Sequence, residues 1–285
     1  MPALRTITTA AAIHAEISAQ RAAGRSIGLV LTMGALHEGH LSLVRRARAE
    51  CDAVVATIFV NPTQFGPSED FSRYPRTLEK DLELLAELGC DLVFAPAQDE
   101  IYPPGFSTYV EPPAVAALLE GKHRPGHFRG VGTVVLKLFN LIPADVAYFG
   151  QKDYQQSLVI QHMVRDLNLP IQITICPILR ESDGLALSSR NRYLSPTERQ
   201  QALALSRSLR QAEELVRSGL REARAIAAAL RNELAAAGIQ RIDYATVADA
   251  QTLAELNTLD RPAVALVACH VGTTRLIDNC LLPLP

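Results

Sequence analysis

Ile27-Gly28-Leu29-Val30-Leu31-Thr32-Met33-Gly34-Ala35-Leu36-His37-Glu38-Gly39-His40 is the stretch that decides the fold. Its first six residues have the length and apolar continuity of a buried strand, and helical periodicity begins near Gly39 and runs to about Cys51. Strand, glycine-bearing turn and helix in immediate succession make half of a βαβ unit. The same beat continues outward. Residues 53–60 form an almost unbroken apolar run, as in a strand covered on both faces. Residues 77–88 then read as a helix, with Leu78, Leu82 and Leu85 on one stripe and Gly89 as its stop. A strand is expected at 91–95. After a Pro/Gly-rich interruption at 96–113 come a helix at 131–142, a strand at 145–149, a helix at 153–168 and a strand at 171–178. Five such alternations imply an α/β protein with a doubly wound parallel sheet, in which ligands sit beyond the carboxyl ends of the strands.

The character changes after Leu179. Ser195-Pro196-x-Glu198 offers an N-cap, a proline at the first helical position and a capping-box glutamate. Helices are expected from there to about Ser218 and over 221–237, followed by β-rich runs at 241–247, 263–271 and 275–282. The expected organisation is a doubly wound α/β domain at 1–178 and a smaller α+β domain at 179–285, hinged on the first.

Composition narrows the function classes. The chain has 285 residues, 48% of them apolar and 20% charged, with a net charge of −2. That suffices for a sizeable core and gives no overall attraction to nucleic acid or acidic lipid. The five cysteines are scattered with no Cys-x-x-Cys pair, which suits a reducing cytoplasm and small-hydrophobe roles. No basic segment leads into an apolar one at the start, so no secretory signal is expected. No run approaches the roughly 18 apolar residues of a spanning helix.

The residues that carry chemistry cluster after strands. His37 and His40 stand at the start of a helix, whose N-terminus offers N–H groups and partial positive charge to an anion, while Gly34 and Gly39 admit a phosphate closely. Two imidazoles there can donate to charge developing on phosphates. Their bland alternative is a helix cap and a loop residue; zinc lacks a completing ligand set. Asn61-Pro62-Thr63-Gln64-Phe65 follows the second strand, and Gln64 suits a ligand with carboxylate and hydroxyls, although Asn-Pro also makes an ordinary turn. Phe149-Gly150-Gln151-Lys152-Asp153-Tyr154-Gln155-Gln156 is another strand-to-helix junction. There Lys152 is a point charge for phosphate, Asp153 doubles as a cap, and Gln156 lies one turn in. Leu187-Ser188-Ser189-Arg190, on the loop leaving the last strand, offers hydroxyls and a guanidinium. Gly121-Lys122-His123-Arg124-Pro125-Gly126-His127-Phe128-Arg129-Gly130 reads as a lid, a substrate contact or a solvated loop.

His-x-Gly-His after a strand resembles the nucleotidylyltransferase signature. Taken in order, TMGALHEGH, IFVNPTQF with YPRT, RPGHFRGV, YFGQKDYQQ, DGLALSSRN with YLS, and TRLIDN near the end resemble the pantoate–β-alanine ligase family. The resemblance implies a Rossmann-like ATP-binding domain closed by a smaller one, usually in a homodimer, and a cytoplasmic enzyme with no nucleic-acid or membrane partner. It implies that ATP is bound by Met33, Gly34, Ala35, Leu36, His37, Glu38, Gly39 and His40, by Gly150, Gln151, Lys152 and Asp153, by the backbone of Leu179, and by Leu187, Ser188, Ser189 and Arg190. Pantoate falls to Gln64 and Gln156, β-alanine to Gln64, and proton donation to His40, with His37, Lys152 and Arg190 assisting. Mg²⁺ is expected with ATP. Lys80 stands where relatives often have an acid, which leaves Asp81 as a doubtful metal ligand. Leu31 replaces a usual proline and Gln151 a frequent glutamate. Two rivals are a nucleotidylyltransferase that stops at AMP transfer and a non-catalytic tRNA-binding relative of the aminoacyl-tRNA synthetases. AMP release that requires both pantoate and β-alanine distinguishes all three.

Overall fold

The computed structural model describes residues 4–67 and 69–283; the outermost residues of both expected domains lie outside this range. The chain divides into two compact units. One comprises the chain up to Gln151 together with Gln156–Pro177; the other comprises Lys152–Gln155 and the chain from Ile178 onward.

The first unit contains β1 (Arg5–Ile7), α1 (Ala10–Ala22), β2 (Ile27–Thr32), α2 (Glu38–Glu50), β3 (Ala53–Ile58), α3 (Leu78–Glu87), β4 (Leu92–Phe94), α4 (Gln98–Ile101), α5 (Leu119–His123), α6 (His127–Leu141), β5 (Val146–Gly150), most of α7 (Tyr154–Asp166) and β6 (Gln172–Cys176). Its six strands are all parallel, in the order β1-β4-β3-β2-β5-β6. The chain steps from β2 to β3 to β4 in one direction, then crosses to β5 on the other side of β2. The order therefore reverses at β2, and the crevice beyond β2 and β5 is where such a sheet binds ligands. The residues after Thr32 and those around Gly150 stand at those two strand ends. Against one face of the sheet, Leu41, Val44 and Ala47 of α2 pack on Val30, Val54, Ala56 and Tyr148.

In the second unit, β7 (Arg241–Asp249), β8 (Ala263–Val271) and β9 (Thr274–Leu282) form an antiparallel sheet in chain order. It shares a core with α8 (Pro196–Arg217) and α9 (Ala223–Ala236) through Leu205, Leu209, Ile226, Leu230, Val247 and Val267. The capping box at the start of α8 is complete: Glu198 N–H donates to Ser195 Oγ at 3.3 Å, and Ser195 N–H to Glu198 Oε2 at 2.8 Å.

Several sequence expectations shift. The sheet has a sixth strand, β1, at an edge, and α1 precedes β2; neither was anticipated. The strand expected over 53–60 ends at Ile58, and α6 starts at His127 rather than at 131, because Gly126 supplies a left-handed residue (φ 82°) before it. All five cysteines are free and buried, where burial raises the thiol pKa of Cys90 and Cys269 to about 12 and favours the protonated form. No helix among the described residues is long and apolar enough to cross a membrane.

Candidate active site

The turn after β2 is held from below by an acid. Gly34 and Ala35 both have positive φ, 77° and 52°, and for alanine that conformation costs about 1–2 kcal/mol. Asp81 of α3, 1% exposed, offsets it: its Oδ2 accepts the Ala35 N–H at 2.9 Å and its Oδ1 the Leu36 N–H at 2.8 Å. Thr77 Oγ1 lies 3.2 Å from each oxygen, and Gly34 N–H donates to Thr32 Oγ1 at 3.1 Å. The φ of Gly34 favours glycine, and a Cβ there would press on Asp81 Oδ2 and Ile58 Cγ2 at 3.1 Å.

The histidines complete the turn. His37 is the N-cap of α2, its Nδ1 accepting the Gly39 N–H at 3.1 Å, while His40 Nδ1 accepts the His37 N–H at 3.4 Å. The two rings stand 4.1 Å apart between centroids. With Nδ1 accepting in both, each neutral imidazole carries its proton on Nε2 and acts there as a donor. The capping and functional roles of these residues are thus compatible. One expectation is revised: the N–H groups of Gly34, Ala35, Leu36, His37 and Gly39 bond within the protein. An anion at this turn would compete with these partners for the backbone N–H groups, and the imidazole Nε2–H groups are further donors on it.

Gln64 is tied to the same turn. It closes a 3₁₀ turn, Pro62–Gln64, capped by the buried Asn61. Gln64 Nε2 lies 3.1 Å from Met33 Sδ, and its Oε1 accepts from Asn61 Nδ2 at 3.0 Å. Asn61 Oδ1 in turn accepts from Tyr102 Oη at 2.8 Å and Thr63 Oγ1 at 2.9 Å. Asn-Pro makes a turn here, and Gln64 is the last residue of that turn. Gln156 is half-buried in the first turn of α7.

The basic Gly121–Gly130 segment spans the end of α5 and the start of α6, and its buried residues brace the Gln64 turn. Arg124 pairs with both oxygens of Glu69 at 2.7 Å and stands 3.0 Å from His127 Nε2. His127 Nδ1–H donates to the Gln64 carbonyl at 2.8 Å, which leaves Nε2 to accept from Arg124. A Cβ at Gly130 would fall 2.3 Å from the Thr63 carbonyl, so only glycine lets α6 lie against this turn.

Burial, and then the Arg124 guanidinium, push the His127 pKa down to about 4, while the Gln64 carbonyl opposes the shift. In the unfolded chain the group titrates near ~6.5. Below that pH the unfolded chain takes up a proton that the folded one refuses, so this contribution, full above pH ~6.5, is lost as pH falls toward 4. It amounts to about 3 kcal/mol at most. We expect His127→Asn to be less stable than the native chain at pH 7, and the gap to close as pH falls to 4.5 in urea titrations. Parallel stability curves for the two proteins would rule this out.

Lys152 and Asp153 lie in the 3₁₀ turn Gln151–Asp153 that follows Gly150. The Lys152 Nζ is 3.7 Å from Asp153 Oδ1, an ion pair too long for a hydrogen bond. In the second unit the Leu187 N–H donates to the Leu179 carbonyl at 3.0 Å, bringing two expected ATP residues together across a tight hairpin. Ser188 Oγ accepts the Arg190 N–H at 3.3 Å and starts the turn Ser189–Tyr193. Asn191 ties that turn back through Glu181 Oε1 and the Ala186 carbonyl. Leu31 keeps its place in β2 opposite Thr57.

Asp81, Asn61 and the Arg124–His127 pair escaped the sequence reading as site supports. For Asp81 a signal existed: it shares a helical face with Leu85 and the partly buried Leu82, and an acid on the inward side of a helix needs a partner.

Known proteins resemble this chain over nearly its whole length. The family model described as pantoate-beta-alanine ligase matches residues 5–281. Pantothenate synthetase of Moorella thermoacetica is 54% identical over 279 residues, covering 98% of this chain and 99% of that protein. Its counterpart from Roseiflexus sp. (strain RS-1) is 57% identical with the same coverage. Among solved structures, pantothenate synthetase from Thermus thermophilus aligns with a TM-score of 0.93 at 47% identity, over 98% of this chain and 100% of that one. Pantoate-beta-alanine ligase from Francisella tularensis, complexed with beta-gamma ATP and beta-alanine, aligns at 0.81 and 37% identity, over 98% of each chain. On a turn that sets two imidazole donors beyond the switch-point strand, and on matches spanning nearly its whole length, this chain belongs to the pantoate–β-alanine ligase family.

Proposed function

We propose that the chain joins pantoate to β-alanine with ATP, giving pantothenate, AMP and pyrophosphate by way of a pantoyl-adenylate. The observation that carries this reading is the paired-histidine helix start beyond β2, in a chain matched over residues 5–281 by the ligase family. The ATP and β-alanine of the Francisella complex point to the same substrates. A pantoate carboxylate oxygen bonds to the α-phosphorus as the bond to pyrophosphate breaks. The amine of β-alanine then attacks the acyl carbon, and AMP departs with the electron pair of the mixed anhydride. Pantoate brings its own nucleophile, so the protein's work is alignment and charge stabilisation.

In this reading His37 and His40 donate through Nε2–H to the phosphates, and Lys152, Ser188, Ser189 and Arg190 add charge and donors. Met33, Glu38 and Gly39, with Gly150, Gln151, Asp153, Leu179 and Leu187, line the nucleotide. Gln64, oriented by Asn61, holds pantoate and β-alanine, and Gln156 holds pantoate.

Asp81 does not fit a magnesium site, because both its oxygens already face backbone N–H groups at 2.8–2.9 Å. No group of three or more acidic, His or Cys side chains among the described residues is arranged to hold a metal. Mg²⁺ is therefore proposed to come with the nucleotide's phosphates rather than through Asp81. A homodimer and a cytoplasmic location belong to the same proposal by family resemblance.

The test omits β-alanine. With ATP, Mg²⁺ and pantoate alone, the protein should exchange labelled pyrophosphate into ATP. Adding β-alanine should release AMP carrying one ¹⁸O from carboxylate-labelled pantoate. ADP and phosphate as products, or unlabelled AMP, would overturn attack of the carboxylate on the α-phosphate.

A further inference from the structure

The last strand carries two consecutive buried polar residues, Asp278 (3% exposed) and Asn279 (2%). Successive residues of a strand point to opposite faces, so each answers to different surroundings. The Asp278 carboxylate grips Arg180 with two bonds, 2.6 and 3.1 Å, and accepts the Asn279 N–H at 2.8 Å. Asn279 Nδ2 donates to the carbonyl of Lys152 at 2.9 Å. Two residues further along that segment, Tyr154 Oη donates to the Ala250 carbonyl at 2.7 Å, just after β7. The turn that presents Lys152 and the residue after it are thus tied down at two points by polar bonds. These tethers lie in the same compact unit, which explains why Lys152–Gln155 groups with the sequence-distant C-terminal region.

A strand that served only the core would place apolar residues at 278 and 279, because burying an amide and a carboxylate is costly unless each finds partners. The partners here are the backbone of the Lys152 turn and the arginine that follows Leu179. We propose that Asn279 is a positioning residue for Lys152: its amide fixes the Lys152 carbonyl, and so the direction in which the ammonium leaves the turn. Asp278, through Arg180, does the same for the backbone at Leu179. The role rests on the reading of Lys152 as a phosphate-binding group. A lysine side chain is long and rotamer-rich, and its ionic neighbour Asp153 stands too far to hold it. Its aim therefore depends on the backbone beneath it.

The test is a double-mutant cycle on pyrophosphate exchange with ATP, Mg²⁺ and pantoate, run beside thermal unfolding. Lys152→Ala should slow exchange, and Asn279→Ala should slow it about 10–100-fold, the scale of a misplaced catalytic group. Asn279→Ser, which keeps a shorter donor, should recover part of the loss, and it carries the test if the alanine variant fails to fold. In the Lys152→Ala background, Asn279→Ala should have no further effect on exchange, because its effect runs through the lysine. Unimpaired exchange by Lys152→Ala would overturn the reading of Lys152 itself. Impaired Lys152→Ala with unimpaired Asn279→Ala, or losses that simply add, would overturn the positioning role and leave Asn279 as a support of the fold alone.

Discussion

Replacing His40 by alanine should lower kcat by about 10²–10³, the usual loss for one donor to charge that develops in the transition state. The geometry separates this from a structural effect. His40 Nδ1 accepts the His37 N–H, so the alanine variant also loses half of the capping box of α2. The N-cap bond from Gly39 N–H to His37 Nδ1 remains, so the stability lost is below the roughly 1 kcal/mol typical of a full N-cap. Glutamine at the same helix position reaches back to the N-cap N–H in ordinary capping boxes. His40→Gln should therefore recover the stability but not the turnover. If turnover returned together with stability, His40 would be a cap and nothing more, and proton donation would have to be sought at His37.

The second large effect is expected at Asp81. Asp81→Asn keeps the shape of the side chain but turns an NH₂ group toward a backbone N–H that now meets a carboxylate oxygen. Losing a charge-assisted bond while leaving a buried donor unpaired costs about 2–4 kcal/mol. The cost falls on the turn that holds Ala35 in its left-handed conformation and leads into His37. We expect kcat/KM to fall at least ~10²-fold, since displacing catalytic groups by about 1 Å has that consequence. The dependence of the remaining activity on Mg²⁺ concentration should be unchanged, because the carboxylate serves the backbone. Recovery of the variant at high Mg²⁺ would show instead that Asp81 is a metal ligand.

Much of the fold was legible because its signals are local. The apolar runs of β2 and β3, the leucine stripe of α3 and the Ser195-Pro196-x-Glu198 start of α8 each span a few residues, and each set its element within about two residues of where it lies. The candidate site was legible as a set of segments after strand ends, and His37, His40, Lys152 and Ser188 all lie in turns that open helices or 3₁₀ segments. The first strand and helix were not legible. Arg5–Ile7 is three residues long and largely exposed, and becomes a strand only because the edge of β4 offers it a parallel ladder. Along Ala10–Ala22 only Ile13 and Ile17 are buried, too few to mark a helical stripe.

What the sequence determined by itself is therefore the inventory: strands and helices in alternation, the chemistry of the groups between them, and the family to which that order of motifs belongs. Periodicity, capping and turn conformation depend on neighbours within one helical turn, and a single chain displays them directly. Only the tertiary structure decided that β5 crosses to the far side of β2, making the end of β2 the point where the sheet opens to a ligand. Only it decided which residues hold the reactive ones. Asp81 grips a turn 45 and 46 residues away, His127 a carbonyl 63 residues away, and Asn279 one 127 residues away. A hydrogen bond over such separations leaves no periodic trace in the chain, because it depends on how the packed elements place two groups within about 3 Å of each other.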